Sequence, residues 1–257
     1  MIPYFEQPEL QLGPVRLEVF GILLVISILW AQWMILRRAQ RSGIQREAMW
    51  RMCVWMLVAG FTGAHLAKSI LPDVDRFLAY PWLVLLTGGI ASLGGLGGGL
   101  LGGIIYSTLQ GAKGRETLGK LDVIAYALPS AWIFGRLGCA IIHDHRGLPA
   151  TSWIAVRFPE GPRYDLGLIE FLFLIGLASL FYVLDQWPRQ PGFFFGLYGV
   201  AYGGFRIWLD TLHIQPLRFF GGATAVLIGL AGWALMARHS KSGASQLAAT
   251  ADSRIRI

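Results

Sequence analysis

The sequence predicts an all-α, polytopic integral membrane protein of about seven transmembrane helices, and three observations carry that prediction. Hydrophobic residues make up 54% of the 257-residue chain against 14% charged, and mean hydropathy is +0.53, far from the balance of a soluble domain. The apolar residues gather into runs near the roughly 17–25 residues that cross hydrocarbon as a helix. Basic residues cluster in alternate connections between those runs. No repeated short alternation of the kind used by membrane β-barrels is present.

The runs fall at 19–36, 52–71, 82–107, 122–142, 166–184, 193–212 and 219–237. Ahead of the first, MIPYFEQPELQLGPVRLE carries Glu6, Glu9 and Glu18. It lacks the basic start of a cleavable signal and reads as an extracytoplasmic segment. The connection after the first run sets Arg37, Arg38, Arg41, Arg46 and Arg51 against Glu47. The segment GAKGRETLGK is basic again, Arg189 lies between the fifth and sixth runs, and Arg238, Lys241, Arg254 and Arg256 follow the seventh. The positive-inside rule places these segments in the cytoplasm, with the N-terminus outside and the C-terminus inside, a parity that seven spans satisfy. Residues 1–237 are thus expected to form one transmembrane domain and 238–257 a disordered basic cytoplasmic tail. The net charge of +7 is a topology signal, and nucleic acid is not an expected partner. The third run, TGGIASLGGLGGGLLGGIIY, is dense in glycine, which in a membrane permits close helix approach and lateral entry of lipid. It is not a phosphate loop, since no lysine follows and no strand precedes it. Cys53 and Cys139 both fall inside predicted spans, against a structural disulfide.

Charge inside the spans points to chemistry. Arg136 and Arg206 lie in otherwise apolar runs, where an ionised side chain costs about 2.5–3.5 kcal/mol on insertion scales. Two of them suggest one polar cavity for an anionic ligand. Tyr198, Tyr202, Arg206 and Asp210 recur every four residues, with His213 three further on, so they share one helix face. Arg206 and Asp210 are placed to pair, leaving guanidinium donors whose planar fork suits a phosphate; the plainer reading is an ion pair that locks two helices. Gly199, Gly203 and Gly204 thin the backbone beside this stripe. Arg136 is expected roughly two turns below the outer surface, with His143, Asp144 and His145 at the mouth. A histidine oriented by a neighbouring carboxylate suits proton transfer near neutral pH. A solvated loop edge is the plainer alternative, and two histidines at i, i+2 are a weak metal signature. His65 and Lys68, near the outer end of the second run, are placed to join this cluster. Glu170 lies just within the fifth run, after a polar connection, RGLPATSWIAVRFPEGPRYDLGLIE, suited to facing a substrate. No metal or organic cofactor is called for by any motif.

The motifs LGPVRLEVFGILL, GAHLAKSIL, GGIASLGGLGGGLLGG, FGRLGCAIIHDHRG, RYDLGLIE and YGGFRIWLDTLH, in this order from Ile2 to Ala237, resemble those of the prolipoprotein diacylglyceryl transferase family. The resemblance implies a seven-helix bacterial inner-membrane enzyme. Such an enzyme moves the diacylglyceryl group of phosphatidylglycerol to the lipobox cysteine of an exported preprolipoprotein, releasing glycerol-1-phosphate. It puts the family's two key arginines on Arg136 and Arg206, its fifth-span glutamate on Glu170, and Asp210 in place of a glutamate. It also shows departures. Leu93 stands for a histidine, Cys139 and Ile142 for asparagines, Asp144 for a glutamate and His65 for an arginine. Phe20 stands for a tyrosine, Glu18 for a histidine, and Tyr164–Asp165 for a histidine–proline pair. With the third-span histidine replaced, His143 or His145, oriented by Asp144, is the expected base for the acceptor thiol. A second reading is a non-catalytic phospholipid-binding or accessory membrane protein of the same ancestry. A small-anion transporter is a third, without inverted repeats or paired broken helices to favour it.

Overall fold

The computed structural model describes residues 1–6, 9–12, 15–70, 74–87, 89, 92–214 and 222–237, and of residues 9–12, 15–17, 87, 92 and 93 the backbone alone. The expected tail at 238–257, the start of the seventh run and the side chain of Leu93 therefore lie outside the described residues. In chain order the elements are β1 (Ile2–Pro3), β2 (Glu9–Leu12), β3 (Val15–Glu18), α1 (Val19–Arg41), α2 (Arg46–Ile70), α3 (Val74–Ala79), α4 (Pro81–Thr87), α5 (Ser92–Leu109) and α6 (Gly114–Ile142). Then follow β4 (Arg146–Pro149), β5 (Val156–Phe158), β6 (Gly161–Asp165), α7 (Leu166–Leu184), α8 (Phe193–Asp210) and α9 (Gly222–Ala237). Among the described residues, α1, α2, α6 and α7 are each long and apolar enough to cross a membrane. The single run expected at 82–107 is divided into α4 and α5. Two successive glycines, Gly88 and Gly89, stand between them in sequence, and glycine is the poorest helix former after proline.

The chain forms two compact units, Leu36–Leu121 and the discontinuous pair Met1–Ile35 with Asp122–Ile257. In the 36–121 unit, α2 and α5 lie against one another with almost no side chain between them. A Cβ added to Gly98 would come 2.4 Å from the Ala59 carbonyl oxygen, and one added to Gly63 2.5 Å from that of Gly94. The glycine-dense third run is therefore a backbone-to-backbone contact surface, the use small residues have where lipid offers no hydrophobic drive for helix association. His65, on α2, faces the carbonyl oxygens of Leu85 at 2.8 Å and Gly89 at 3.2 Å.

In the discontinuous unit, α1 packs along α6. Ser27 Oγ donates to the Ala131 carbonyl at 2.7 Å, Trp30 Nε1 to Ser130 Oγ at 3.2 Å, and Gly138 makes room for Phe20. Helices α8 and α9 meet through Gly199, Gly203, Gly222 and Gly229, while Gly204 faces open space. Tyr126, Phe181, Phe194 and Tyr198 join α6, α7 and α8 in one apolar cluster. The connection read as a polar loop is a small sheet of order β1-β5-β6-β4, and β2 and β3 form a separate hairpin. This sheet ties three helix ends together. Leu166 N donates to the His145 carbonyl, Leu148 N to that of Leu212, and Gly147 bridges to His213. The ends of α6 and α8 and the start of α7 are thus held side by side.

Candidate active site

These three helices meet at a buried carboxylate on α7. Glu170 sits in the second turn of α7, whose start is fixed by the Asp165 side chain accepting from Leu168 N. Its side chain is only 1% exposed. Arg136 Nε, from α6, lies 2.9 Å from Glu170 Oε1, and Arg206 Nη1, from α8, lies 3.2 Å from Oε2. The first contact is an ion pair by proximity, since the Nε–H is not aligned on the oxygen. Tyr202 donates to Oε1 at 2.7 Å, and Arg206 Nη2 reaches Asp210 Oδ1 at 2.9 Å, one turn along the same helix. Two cations and two anions thus balance, which offsets the cost of holding them in an apolar bundle. Each guanidinium has five N–H donors, and the carboxylates engage a fraction of them.

Aromatic rings wall this cluster. Tyr202 lies between Trp132, with centroids 5.6 Å apart, and Tyr198 at 5.2 Å and nearly parallel. The Tyr198 hydroxyl is buried without a hydrogen-bond partner among the described residues. The expected stripe on the sixth run is accordingly one face of α8, and Tyr198, Tyr202, Arg206 and Asp210 all face the site or its wall.

At the end of α6 the arrangement differs from the expected one. His143, in the left-handed region at φ 52°, turns away from Asp144. Its Nδ1 lies 2.5 Å from Asp165 Oδ2, and its ring is surrounded by those of Tyr4, Phe5 and Phe158. Its Nε2 is buried with no partner among the described residues. Asp144 therefore orients His145 alone, through Nδ1. The reason is local. A left-handed residue reverses the chain, so His143 and Asp144 cannot lie along one helix face. The hydrogen bond that His145 donates to Asp144, and then contact with Cys139, push the imidazole up to about 9. Cys139, one turn beyond Arg136, receives a weak contact from Arg136 Nη1 at 3.8 Å. His213 is held below its ordinary range by burial and then by Arg206. His65 belongs to the other unit, with both ring nitrogens facing backbone carbonyls. Asp165 was not singled out as a site residue from sequence. Its only signal was an acid immediately before an apolar run, which marks a helix start and not a histidine partner.

The family model described as prolipoprotein diacylglyceryl transferase matches residues 8–238. Among curated relatives, the phosphatidylglycerol–prolipoprotein diacylglyceryl transferase of Vibrio vulnificus strain CMCP6 is 32% identical over 268 residues, covering 94% of each chain. The enzyme of the same name from Thermosynechococcus vestitus is 26% identical over 91% of this chain and 94% of its own. That from Actinobacillus pleuropneumoniae is 30% identical over 83% of each. A match of this extent, running through the helices that carry Arg136, Glu170 and Arg206, shows that the chain belongs to the prolipoprotein diacylglyceryl transferase family.

Proposed function

We propose that this membrane protein is a phosphatidylglycerol–prolipoprotein diacylglyceryl transferase. The observation that carries the reading is the clamping of Arg136 and Arg206 onto the two oxygens of one buried carboxylate. Their guanidinium planes are thereby brought to one point from two helices. The lipid phosphate takes up the remaining donors, and the Tyr198 hydroxyl, without a hydrogen-bond partner among the described residues, offers one more. Glu170, Tyr202 and Asp210 hold the two arginines in place; His65, in the other unit, is a lipid contact of its own, which His65→Ala tests.

The acceptor is the lipobox cysteine of an exported preprolipoprotein, which reacts as its thiolate. Its sulfur attacks the glycerol carbon that carries the phosphate ester. The sulfur–carbon bond forms, the carbon–oxygen bond breaks, and glycerol-1-phosphate leaves with the bonding pair. Negative charge grows on the departing phosphate oxygen, where prepositioned guanidiniums act most strongly. The thiol is activated at the turn bearing His143, Asp144 and His145. The membrane in question is the bacterial inner membrane, crossed seven times with the N-terminus outside and the C-terminus in the cytoplasm. Residues 1–237 form the transferase domain and 238–257 the tail.

The test is conditional rescue. In a bacterium depleted of its own diacylglyceryl transferase, the chain should add one diacylglyceryl mass to a reporter lipoprotein. Arg136→Ala and Arg206→Ala should abolish that gain while still inserting. Arg206→Lys should also be poor, because a point charge cannot reproduce the fork. Abundant, inserted wild-type protein giving no mass gain overturns the reading.

A further inference from the structure

Helix α6 ends at Ile142, and left-handed His143 turns the chain back on it. Asp144 and His145 are thereby returned to the last turn of the helix, which carries Cys139. One ligand atom from each of Cys139, Asp144 and His145 lies within 4.8 Å of the other two. Around zinc, bonds of about 2.0–2.3 Å set tetrahedral donors roughly 3.4–3.6 Å apart. No pair of these atoms is farther apart than 4.8 Å, and His145 already meets Asp144 through a hydrogen bond that the metal would replace, so the site forms by rotation of side chains about Cys139.

The donors also suit the ion. A thiolate and an imidazole are the types that select zinc over magnesium or calcium, and a carboxylate is the third ligand that zinc also accepts. Two anionic ligands neutralise the divalent charge, so Arg136, with Nη1 3.8 Å from Cys139 Sγ, faces a neutral centre. Cys139 is buried, whereas the Asp144 and His145 side chains are 34% and 38% exposed. One side of the site is closed and the other open. Three protein ligands with one open position is the composition of a catalytic zinc site, where structural sites are closed by four.

We propose that Cys139, Asp144 and His145 bind one zinc ion whose open position takes the acceptor thiol. The second half of this inference rests on the transferase reading above. The acceptor thiol enters as fourth ligand and gives its proton to water at the open face, since coordination to zinc deprotonates a thiol. The bound thiolate sulfur then forms the bond to the glycerol carbon. The carbon–oxygen bond breaks, its electron pair stays on the phosphate oxygen held by Arg136 and Arg206, and zinc keeps its oxidation state. The site adjoins the anion clamp because Cys139 follows Arg136 by one helical turn.

The experiment uses the full chain purified in detergent without a polyhistidine tag. Zinc is counted per chain by mass spectrometry, and cobalt(II) is added to metal-free protein. The expected result is about one zinc per wild-type chain and a sulfur-to-cobalt charge-transfer band. Both should fall roughly tenfold or more in Cys139→Ser and His145→Ala. Arg206→Ala should keep its metal while losing transfer. Equal zinc in wild type and Cys139→Ser, or a cobalt spectrum without the sulfur band, overturns the site. Transfer by a zinc-free wild type overturns the role of the zinc in activating the thiol and leaves the transferase standing. A metal bound with this pattern in a protein that transfers nothing supports the site and removes the transferase reading.

Discussion

Glu170 decides whether the two arginines can coexist. Its carboxylate is shared by Arg136, Arg206 and Tyr202, so removing it leaves two guanidiniums facing each other in an apolar bundle. Glu170→Ala should lower stability by about 3–5 kcal/mol, the usual cost of orphaning one side of a buried ion pair. Glu170→Gln, which keeps the volume and a polar head, should cost less in stability yet still lose transfer. Thermal unfolding in detergent measures the first effect, and an alanine variant as stable as wild type would remove Glu170 as the counter-ion. A second prediction concerns pH. His213 lies below its ordinary value of 6.5 through burial and then Arg206. The folded state therefore binds fewer protons there than the unfolded one. Its share of the stability is present above pH 6.5 and is lost as pH falls below it. His213→Asn should make the acid limb of stability shallower than in wild type; parallel limbs would show that His213 does not titrate on unfolding. Arg136, Arg206, Glu170, Tyr202 and Asp210 were legible in sequence because charge inside an apolar run and four-residue spacing are visible without a structure. The pairing of His143 with Asp165 was not, because it joins residues 22 positions apart through a reversal that no periodicity encodes.

Packing between helices is set by where glycine is required and where it is incidental. Along α5, Gly98 faces the Ala59 carbonyl at a distance no Cβ tolerates, while its neighbour Gly97 has nothing within 4 Å. Gly98→Ala should destabilise by about 1–3 kcal/mol through overpacking. Gly97→Ala should be neutral or gain up to about 1 kcal/mol from helix propensity. The pair shares one substitution and one helix, so equal unfolding midpoints would show that close approach of α2 and α5 is not what holds them. The small-residue run was read from sequence as a close-packing surface, and that is how α5 is used. Its interruption was not read, because an unbroken apolar composition conceals a break in the helix. The strands β4, β5 and β6 were also missed. They are three to five residues long, and Gly147, Pro149, Gly161 and Pro162 give them the look of a loop.

At the scale of the whole molecule, the alternating basic connections predict opposite sides for Ser42 and Glu160. A cysteine placed at Glu160 should react with a membrane-impermeant thiol reagent in spheroplasts, and one placed at Ser42 only after lysis. Equal labelling above the background of the native thiols would overturn the proposed orientation. Helices α1, α2, α6 and α7 were legible because each is long and apolar, whereas the division into two compact units was not, since both boundaries fall inside helices. The shared carboxylate also bears on how the chain is made. Arg136 is synthesised before Glu170, so α6 leaves the ribosome with a charge that lipid rejects and no partner to neutralise it. Helix α6 is therefore expected to wait at the insertion machinery and to enter the bilayer as a hairpin with α7. In the folded chain the hydrogen bond from Leu166 N to the His145 carbonyl and the Asp165 cap that starts α7 hold the ends of these two helices together. In a nascent chain arrested before Glu170 emerges, α6 should still crosslink to the insertion machinery, and in one arrested after α7 it should not.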